Sequence, residues 1–251
     1  MESERIDFIS SYCDRWCERC AFTQRCSAYA VDIATGMCEG DFAAGLQLAI
    51  GAPPPTNTSE EERRAEFVEL LREFEATLPT EAEMARIAED LDERRRQIDE
   101  SPIGSLSQVV SRMAQRWLDA HGQQSGRAGG VVADAVEVIG RDCYLIEAKL
   151  RRALGGRYDA EQLADNDDED EDDEDEDGVQ TDWNGSAKVA LISIARSAAA
   201  WTTVARVSGD VEAEALAEQL RHLQQEVERG FPDAWKFVRP GFDEFTDNQG
   251  S

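Results

Sequence analysis

Apolar residues recur along most of the chain at intervals of three and four positions, which is the spacing of one face of an α-helix. The longest run predicts a helix whose inward face carries Val132, Val136, Ile139, Cys143, Ile146, Leu150 and Ala153. Glycine is favoured just beyond helix C-termini, so Gly155 and Gly156 are expected to end this helix. No stretch alternates apolar and polar residues for long, and the pattern therefore predicts helices and no sheet.

Three helices after residue 58 are each predicted to begin at a capping box, in which two side chains three residues apart satisfy backbone N–H groups. The pairs are Ser59 with Glu62, Thr80 with Glu83, and Ser105 with Gln108. Asn184 or Ser186 is expected to cap the next helix. A last helix follows the turn at residues 208–210, and its apolar stripe is Leu216, Leu220, Leu223 and Val227.

Breaks in this pattern divide the chain into segments. Residues 1–50 carry a cluster of cysteines, and residues 51–58, with three consecutive prolines, are predicted to be a linker. Residues 59–163 and 182–251 supply the two parts of a helical bundle, the second with an aromatic tail. Residues 164–181 contain an acidic run that repels itself and buries nothing, which predicts a disordered loop. We therefore expect an all-α fold, a bundle of about six to eight helices, with an N-terminal helix that bears the cysteines.

Charge narrows the choice of partners and compartment. The 251 residues include 53 acids and 26 Lys and Arg, for a formal net charge of −27, and without the twelve acids of residues 165–177 the charge is still −15. Phosphate backbones and anionic membranes both require clustered cations, so we expect neither a nucleic-acid nor a membrane partner. No apolar run approaches the ~20 residues that span a bilayer, and the N-terminus lacks a signal-peptide pattern. These features favour a cytoplasmic protein without disulfides.

Four of the six cysteines lie within fourteen residues, in the pattern C-x3-C-x2-C-x5-C. On a helix over residues 3–20, Cys13, Cys17 and Cys20 occupy one face, because positions i, i+4 and i+7 point the same way. The intervening residues 21–25 are long enough to return Cys26 to the same point. Four converging thiolates suit a tetrahedral zinc ion or an iron–sulfur cube, so we expect these four residues to be metal ligands.

Cationic and aromatic residues lie among these cysteines. A tetrathiolate centre is negative, and guanidinium groups beside it offset that charge and donate to sulfur. We expect Arg15, Arg19 and Arg25 to do so, and Trp16 to shield the centre from water. No catalytic residues are predicted, because neither histidine belongs to a pattern that indicates catalysis.

The spacing of the cysteines favours iron–sulfur over zinc. Structural zinc sites with four cysteines usually use two separate C-x2-C knuckles, and this chain has one. The spacing from Cys17 through Cys20 to Cys26 resembles the [4Fe–4S] loop of endonuclease III-type DNA glycosylases, over about ten residues. That family has a longer first spacing, so the resemblance implies the kind of metal centre and not DNA repair. The first three cysteines also match the radical-SAM signature, which we reject because a fourth cysteine follows and no strands are predicted.

A second resemblance covers more of the chain. Residues 12–20, with residues 184–191 and 196–197, resemble a group of bacterial helical proteins to which no activity is assigned. The resemblance implies a helical fold and no reaction.

The pattern supports two functional hypotheses. The first is a metal-centre protein that binds a [4Fe–4S] cluster, with zinc as the alternative metal, in a redox or sensing role. The second is a helical protein-interaction module with a structural zinc or free cysteines and no catalysis, since cysteine also behaves as a small buried apolar residue. Both are compatible with a protein partner or self-association. Charged residues also lie in two of the helices: Asp134, Glu137, Asp142, Glu147 and Lys149 in the long helix, and Lys188 and Arg196 in the helix over residues 186–206. An ion pair between these helices is expected, and a structural role is favoured over the alternative that it lines a pocket. Cys38 and Cys143 are expected to be buried thiols.

Overall fold

A computed structural model describes residues 4–51, 59–73, 78–122, 129–164 and 178–243. Within these residues the chain forms eight α-helices and no strand, which confirms the all-α prediction. The helices are α1 (Ser27–Met37), α2 (Phe42–Ile50), α3 (Glu60–Glu73), α4 (Glu81–Glu100), α5 (Pro102–Trp117), α6 (Gly130–Ala164), α7 (Asp182–Ser208) and α8 (Val211–Gly230). Residues 52–58 of the predicted linker at 51–58, and residues 165–177 of the predicted loop at 164–181, lie outside the described residues.

The chain divides into two compact units. Unit 1 comprises Met1–Ser10 and Arg15–Glu93, and unit 2 comprises Ser11–Asp14 and Arg94–Ser251. Four residues near the N-terminus therefore belong to the unit that contains the C-terminal helices. None of the helices in the described residues is both long enough and apolar enough to cross a lipid bilayer.

In unit 1, helices α1 and α2 form a hairpin with a close crossing. Asp41 caps α2 by accepting hydrogen bonds from the backbone N–H groups of Ala43 and Ala44, each at 3.0 Å. Gly45 lies against Thr35, where a Cβ would approach the Thr35 Cα to 2.7 Å, so the two helices meet at a position that only glycine permits. The capping side chain and the glycine together set where α2 begins and how closely it packs.

Two of the predicted capping boxes are confirmed in unit 1. The N–H of Ser59 donates to Glu62 Oε2 at 2.7 Å, and the N–H of Glu62 donates to Ser59 Oγ at 3.2 Å. Thr80 and Glu83 make the equivalent pair of bonds at 2.7 and 3.3 Å. Each box satisfies donors that the first turn of a helix leaves without intrahelical partners.

The core of unit 2 is built by α5, α6, α7 and α8. The predicted stripe of α6 is buried from Val136 to Ala153, and it packs against the apolar face of α7. The stripe of α8 is buried at all four predicted positions, and Phe231 and Phe237 of the following tail also pack inward. Each fully buried Leu or Ile contributes about 1.5–3 kcal/mol relative to an exposed one, so this shared core stabilises unit 2.

The predicted end of the long helix at Gly155 and Gly156 is wrong, because α6 continues to Ala164. A Cβ at Gly156 would lie 3.5 Å from the Cβ of Trp183, in ordinary contact. Both glycines lie inside a helix. Only at Gly155 would a Cβ clash, with the guanidinium of Arg94, so that glycine lets the Arg94 side chain approach α6. Packing overrides the local preference of a glycine pair for a helix end.

Two predicted helix starts are also wrong. Helix α5 begins at Pro102, and Ser101 rather than Ser105 caps it by accepting from the N–H of Gly104 at 3.0 Å. Proline is favoured at this first helical position because its missing N–H would have no partner there. Helix α7 is capped by Thr181, which accepts from the N–H of Asn184 at 3.3 Å, so Asn184 and Ser186 lie inside the helix.

Candidate metal centre

The cysteine-bearing segment is not the helix that spacing predicted. Residues 4–26 form turns and two single-turn 3-10 helices, Cys17–Arg19 and Thr23–Arg25, and the first α-helix begins only at Ser27. Phe8 and Arg15 adopt positive φ angles of 58° and 56°. A left-handed residue interrupts the i to i−4 hydrogen bonds of an α-helix, so these two positions divide the segment into short turns.

The first 3-10 turn joins two of the candidate ligands. The N–H of Cys20 donates to the carbonyl of Cys17 at 3.2 Å. The N–H of Phe22 then donates to Cys20 Sγ at 3.4 Å.

The second 3-10 turn repeats the geometry of the first. The N–H of Cys26 donates to the carbonyl of Thr23 at 3.3 Å. Cys20 and Cys26 each follow a turn and have extended backbones, with φ and ψ of −81° and 127° for Cys20 and −103° and 118° for Cys26. Each is preceded by an arginine, Arg19 and Arg25. This repeated Arg-Cys at the end of a turn was a sequence signal that the helical interpretation missed.

The described residues do not confirm a metal-binding group. All four cysteines are partly buried and none forms a disulfide, and the part of the chain with described coordinates contains no group of three or more His, Cys, Asp or Glu side chains that could hold a metal ion. Cys17, Cys20 and Cys26 belong to unit 1, whereas Cys13 belongs to unit 2. Metal binding by these residues stays a prediction.

Three of the residues expected to surround the centre, Arg19, Arg25 and Trp16, make other contacts in unit 1. The guanidinium of Arg19 lies over the ring of Trp16, 4.0 Å from its centroid, and Trp16 is buried. Arg25 Nε donates to the carbonyl of Glu4 at 2.8 Å, and the carbonyl of Arg25 accepts from the N–H of Ile6 at 3.0 Å. Arg25 therefore ties the start of the described chain to the second turn.

The four residues Ser11–Asp14, here called the strap, are held in unit 2 by contacts of Ser11, Tyr12 and Asp14. The carbonyl of Ser11 accepts from Lys149 Nζ at 2.5 Å, and the hydroxyl of Tyr12 donates to Asp182 Oδ1 at 3.0 Å. The ring of Tyr12 lies 4.7 Å from that of Phe237 between centroids. At Gly185, a Cβ would come within 2.6 Å of Tyr12 Cδ1, so the glycine makes room for the tyrosine.

The last residue of the strap, Asp14, belongs to a cluster of three charged side chains. The sequence predicted an ion pair between the two helices of this cluster but not the contact with Asp14. Arg196 donates to both carboxylate oxygens of Asp142, through Nε at 2.9 Å and Nη2 at 2.5 Å, which confirms the expected ion pair between α6 and α7. A third arm, Nη1, donates to Asp14 Oδ2 at 2.5 Å. The third partner was not predicted, because Asp14 lies 182 residues from Arg196.

The electrostatics of this cluster follow from its burial. The side chain of Asp142 is 0% exposed, and burial raises the pKa of its carboxyl although Arg196 opposes the shift. Burial alone would lower the pKa of Arg196, but hydrogen bonds from its guanidinium to Asp142 and Asp14 outweigh it and raise that pKa. Arg196 therefore stays positively charged between two carboxylates, and this arrangement indicates a structural role for the cluster.

The remaining cysteines and Lys188 lie in surroundings that indicate a structural role or none, and not a role in binding or catalysis. Cys143 is buried as expected, and burial raises the pKa of its thiol to about 11, which makes it a poor nucleophile and metal ligand. Cys38 is only partly buried, so the expectation of a buried thiol is wrong there. Lys188 donates to the carbonyl of Phe237 at 2.6 Å and pairs with Asp243 at 2.7 Å, which joins α7 to the tail.

No protein-family model matches this chain, and no curated protein or solved structure matches it either.

Proposed function

We propose that the chain is a metal-centre protein in which Cys17, Cys20 and Cys26, with Cys13 as the fourth thiol, bind a [4Fe–4S] cluster in a redox or sensing role. The hydrogen bond from the N–H of Phe22 to Cys20 Sγ, at 3.4 Å, is the observation that carries the proposal. Donors to sulfur are a recurrent feature of cluster sites, where they offset the negative charge of the thiolates and tune the reduction potential.

The local geometry of unit 1 supports the same proposal. Cys17 begins a 3-10 turn and Cys20 follows it, and the N–H of Cys20 donates to the carbonyl of Cys17, which keeps the two residues close along the backbone. Cys26 follows a second turn of the same kind. All three thiols are partly buried, which leaves them accessible to a metal and sheltered from bulk water.

Metal binding on this proposal includes a rearrangement of the thiols. The described residues hold no ready-made group of three ligands, so side chains of the two turns must turn toward the metal as it binds. Small cysteine sites commonly gain their final arrangement with the metal, because the free energy of binding is also free energy of folding. Binding is therefore expected to stabilise the segment that carries the turns.

Anaerobic reconstitution of the full chain with ferrous iron and sulfide tests the proposal. We expect about four iron atoms per chain and broad visible absorption in the wild type, and loss of most of the iron in Cys17→Ser. The matched control is Cys38→Ser, since Cys38 is also partly buried in unit 1 but lies outside the two turns. It should keep its iron. Equally low iron in all three proteins would overturn the cluster.

A second candidate function is a helical protein-interaction module whose cysteines hold a structural zinc or no metal. It is favoured by the finding that the described residues contain no assembled group of ligands. Zinc analysis of the same three proteins separates the two candidates. One zinc per chain in a colourless protein, lost in Cys17→Ser, would replace the cluster by zinc. If none of the proteins binds zinc or iron, and Cys17→Ser is as stable as wild type, the result favours an interaction module with free cysteines.

A further inference from the structure

We infer that unit 2 positions Cys13 through the strap, and that Lys149 and Arg196 are positioning residues for this thiol. The inference rests on the proposed function in so far as Cys13 serves as a ligand. The presentation of Cys13 by the strap is a claim about unit 2 alone, and it can be tested without metal.

Cys13 lies between two anchored neighbours. Tyr12 on one side donates to Asp182, which Arg152 holds through two hydrogen bonds at 2.8 and 2.5 Å. Asp14 on the other side accepts from Arg196 at 2.5 Å. Because both neighbours are tied to helices of unit 2, the backbone of Cys13 has little freedom to move.

Lys149, Gly185 and Arg196 of unit 2 form the surface that binds the strap, here called the seat. Lys149 is buried, and its ammonium donates to the Ser11 carbonyl, which is a backbone group that any residue at position 11 would supply. Gly185 is buried on α7, and a Cβ there would lie 2.6 Å from Tyr12 Cδ1 and 2.7 Å from Phe237 Cζ. A cation, an arginine cluster and a glycine from two helices therefore converge on four consecutive residues.

The arrangement separates Cys13 from the other three thiols in how it is held. Cys17, Cys20 and Cys26 take their positions from the 3-10 turns of unit 1, whereas Cys13 takes its position from long-range contacts of the strap: one ion pair and two hydrogen bonds. Substitutions in the seat should therefore change the behaviour of Cys13 and leave the other three thiols unaltered. A general loss of stability would expose all of the cysteines together.

Alkylation of the metal-free chain, followed cysteine by cysteine with peptide mass spectrometry, tests the positioning. Asp14→Ala removes the strap side of the Arg196 cluster and leaves the Arg196–Asp142 pair intact, and Lys149→Met removes the ammonium at Ser11. We expect either variant to raise the alkylation rate of Cys13 about tenfold, with rates at Cys17, Cys20 and Cys26 unchanged.

The matched control is Asp99→Ala, which removes an aspartate that also lies 2.5 Å from a bundle arginine, Arg151, and is similarly exposed. It should leave the alkylation rate of Cys13 at the wild-type value. An unchanged rate in both Asp14→Ala and Lys149→Met, or an equal rise in Asp99→Ala, would overturn the positioning.

Reconstitution with iron tests the link to the proposed centre. Asp14→Ala should lose iron to a chelator faster than wild type and should approach the behaviour of Cys13→Ser, while Asp99→Ala should match wild type. If wild type binds iron and Cys13→Ser binds it equally well, Cys13 is not a ligand and the link is wrong. If wild type binds no metal, the proposed function fails and the alkylation result still decides the positioning.

Discussion

Trp117 Nε1 donates a hydrogen bond of 2.7 Å to Asp210 Oδ2, which joins the last residue of α5 to the residue that caps α8, 93 positions away. The indole is buried and packs edge-on against Trp201, with ring centroids 4.9 Å apart. The other oxygen of Asp210 accepts from the N–H groups of Glu212 and Ala213 at 2.8 and 3.2 Å. One carboxylate thus closes a helix start and satisfies a buried donor.

Replacing Asp210 should lower the free energy of unfolding more than is usual for a partly exposed residue. Asp210→Ala removes the helix cap and leaves the indole N–H of Trp117 buried without an acceptor, so we expect unfolding free energy to fall by about 2–3 kcal/mol. Asp210→Asn keeps one acceptor oxygen, which serves either the helix cap or the indole but not both, and it should lose less than the alanine variant. Urea unfolding followed by tryptophan fluorescence measures both values. Equal losses in the two variants would contradict the double role, and Asp41→Ala, which removes only a cap, supplies the reference.

Removing Arg196 alone should destabilise the protein more than removing Arg196 and Asp142 together. Arg196→Met leaves the fully buried carboxylate of Asp142 without its cation, and we expect a loss of about 3–5 kcal/mol in unfolding free energy. The double variant Arg196→Met with Asp142→Leu removes the buried charge as well, so it should be more stable than the single variant. Urea titrations of the two proteins give the comparison. A double variant less stable than Arg196→Met would show that the two residues do not act as a pair.

The hydroxyl of Tyr12 should ionise at a higher pH than an ordinary tyrosine. Burial, and then its hydrogen bond to Asp182, raise the pKa of its hydroxyl from the ordinary 10.0 to about 12. An acid whose pKa is raised by folding stabilises the fold below its unfolded pKa, and this contribution is lost as pH rises from about 10 to 12. Absorbance of tyrosinate during an alkaline titration should show one late ionisation, which Tyr12→Phe lacks. The same late ionisation in Tyr12→Phe would assign it to another tyrosine.

Local signals in the sequence predicted much of the bundle. The stripe of α6 and the stripe of α8 were predicted because burial of one helix face requires only the spacing of apolar residues along that helix. The capping boxes at Ser59 and Thr80 were predicted because both partners lie within four residues. At α5 the same logic chose Ser105, although Pro102 marked a start three residues earlier.

The candidate site was harder to predict, for reasons that its residues make clear. The i, i+4, i+7 spacing of Cys13, Cys17 and Cys20 suits a helix, but the positive φ of Arg15 interrupts that helix between the first two of them. The two 3-10 turns carry a repeated Arg-Cys pair that is too short to exclude other structures. The partners of Asp14 and Tyr12 lie 182 and 170 residues away, and no local pattern connects residues at such separations.

The sequence by itself determined that the chain is helical, where its apolar faces run, and which residues are candidates for binding metal. Those features depend on the period of the backbone and on side chains within a turn or two of each other. Only the tertiary structure decided that Gly155 and Gly156 lie inside α6 and that residues 11–14 belong to unit 2. Both depend on which surfaces meet, because close approach and burial of charge are properties of two elements together and not of either one alone.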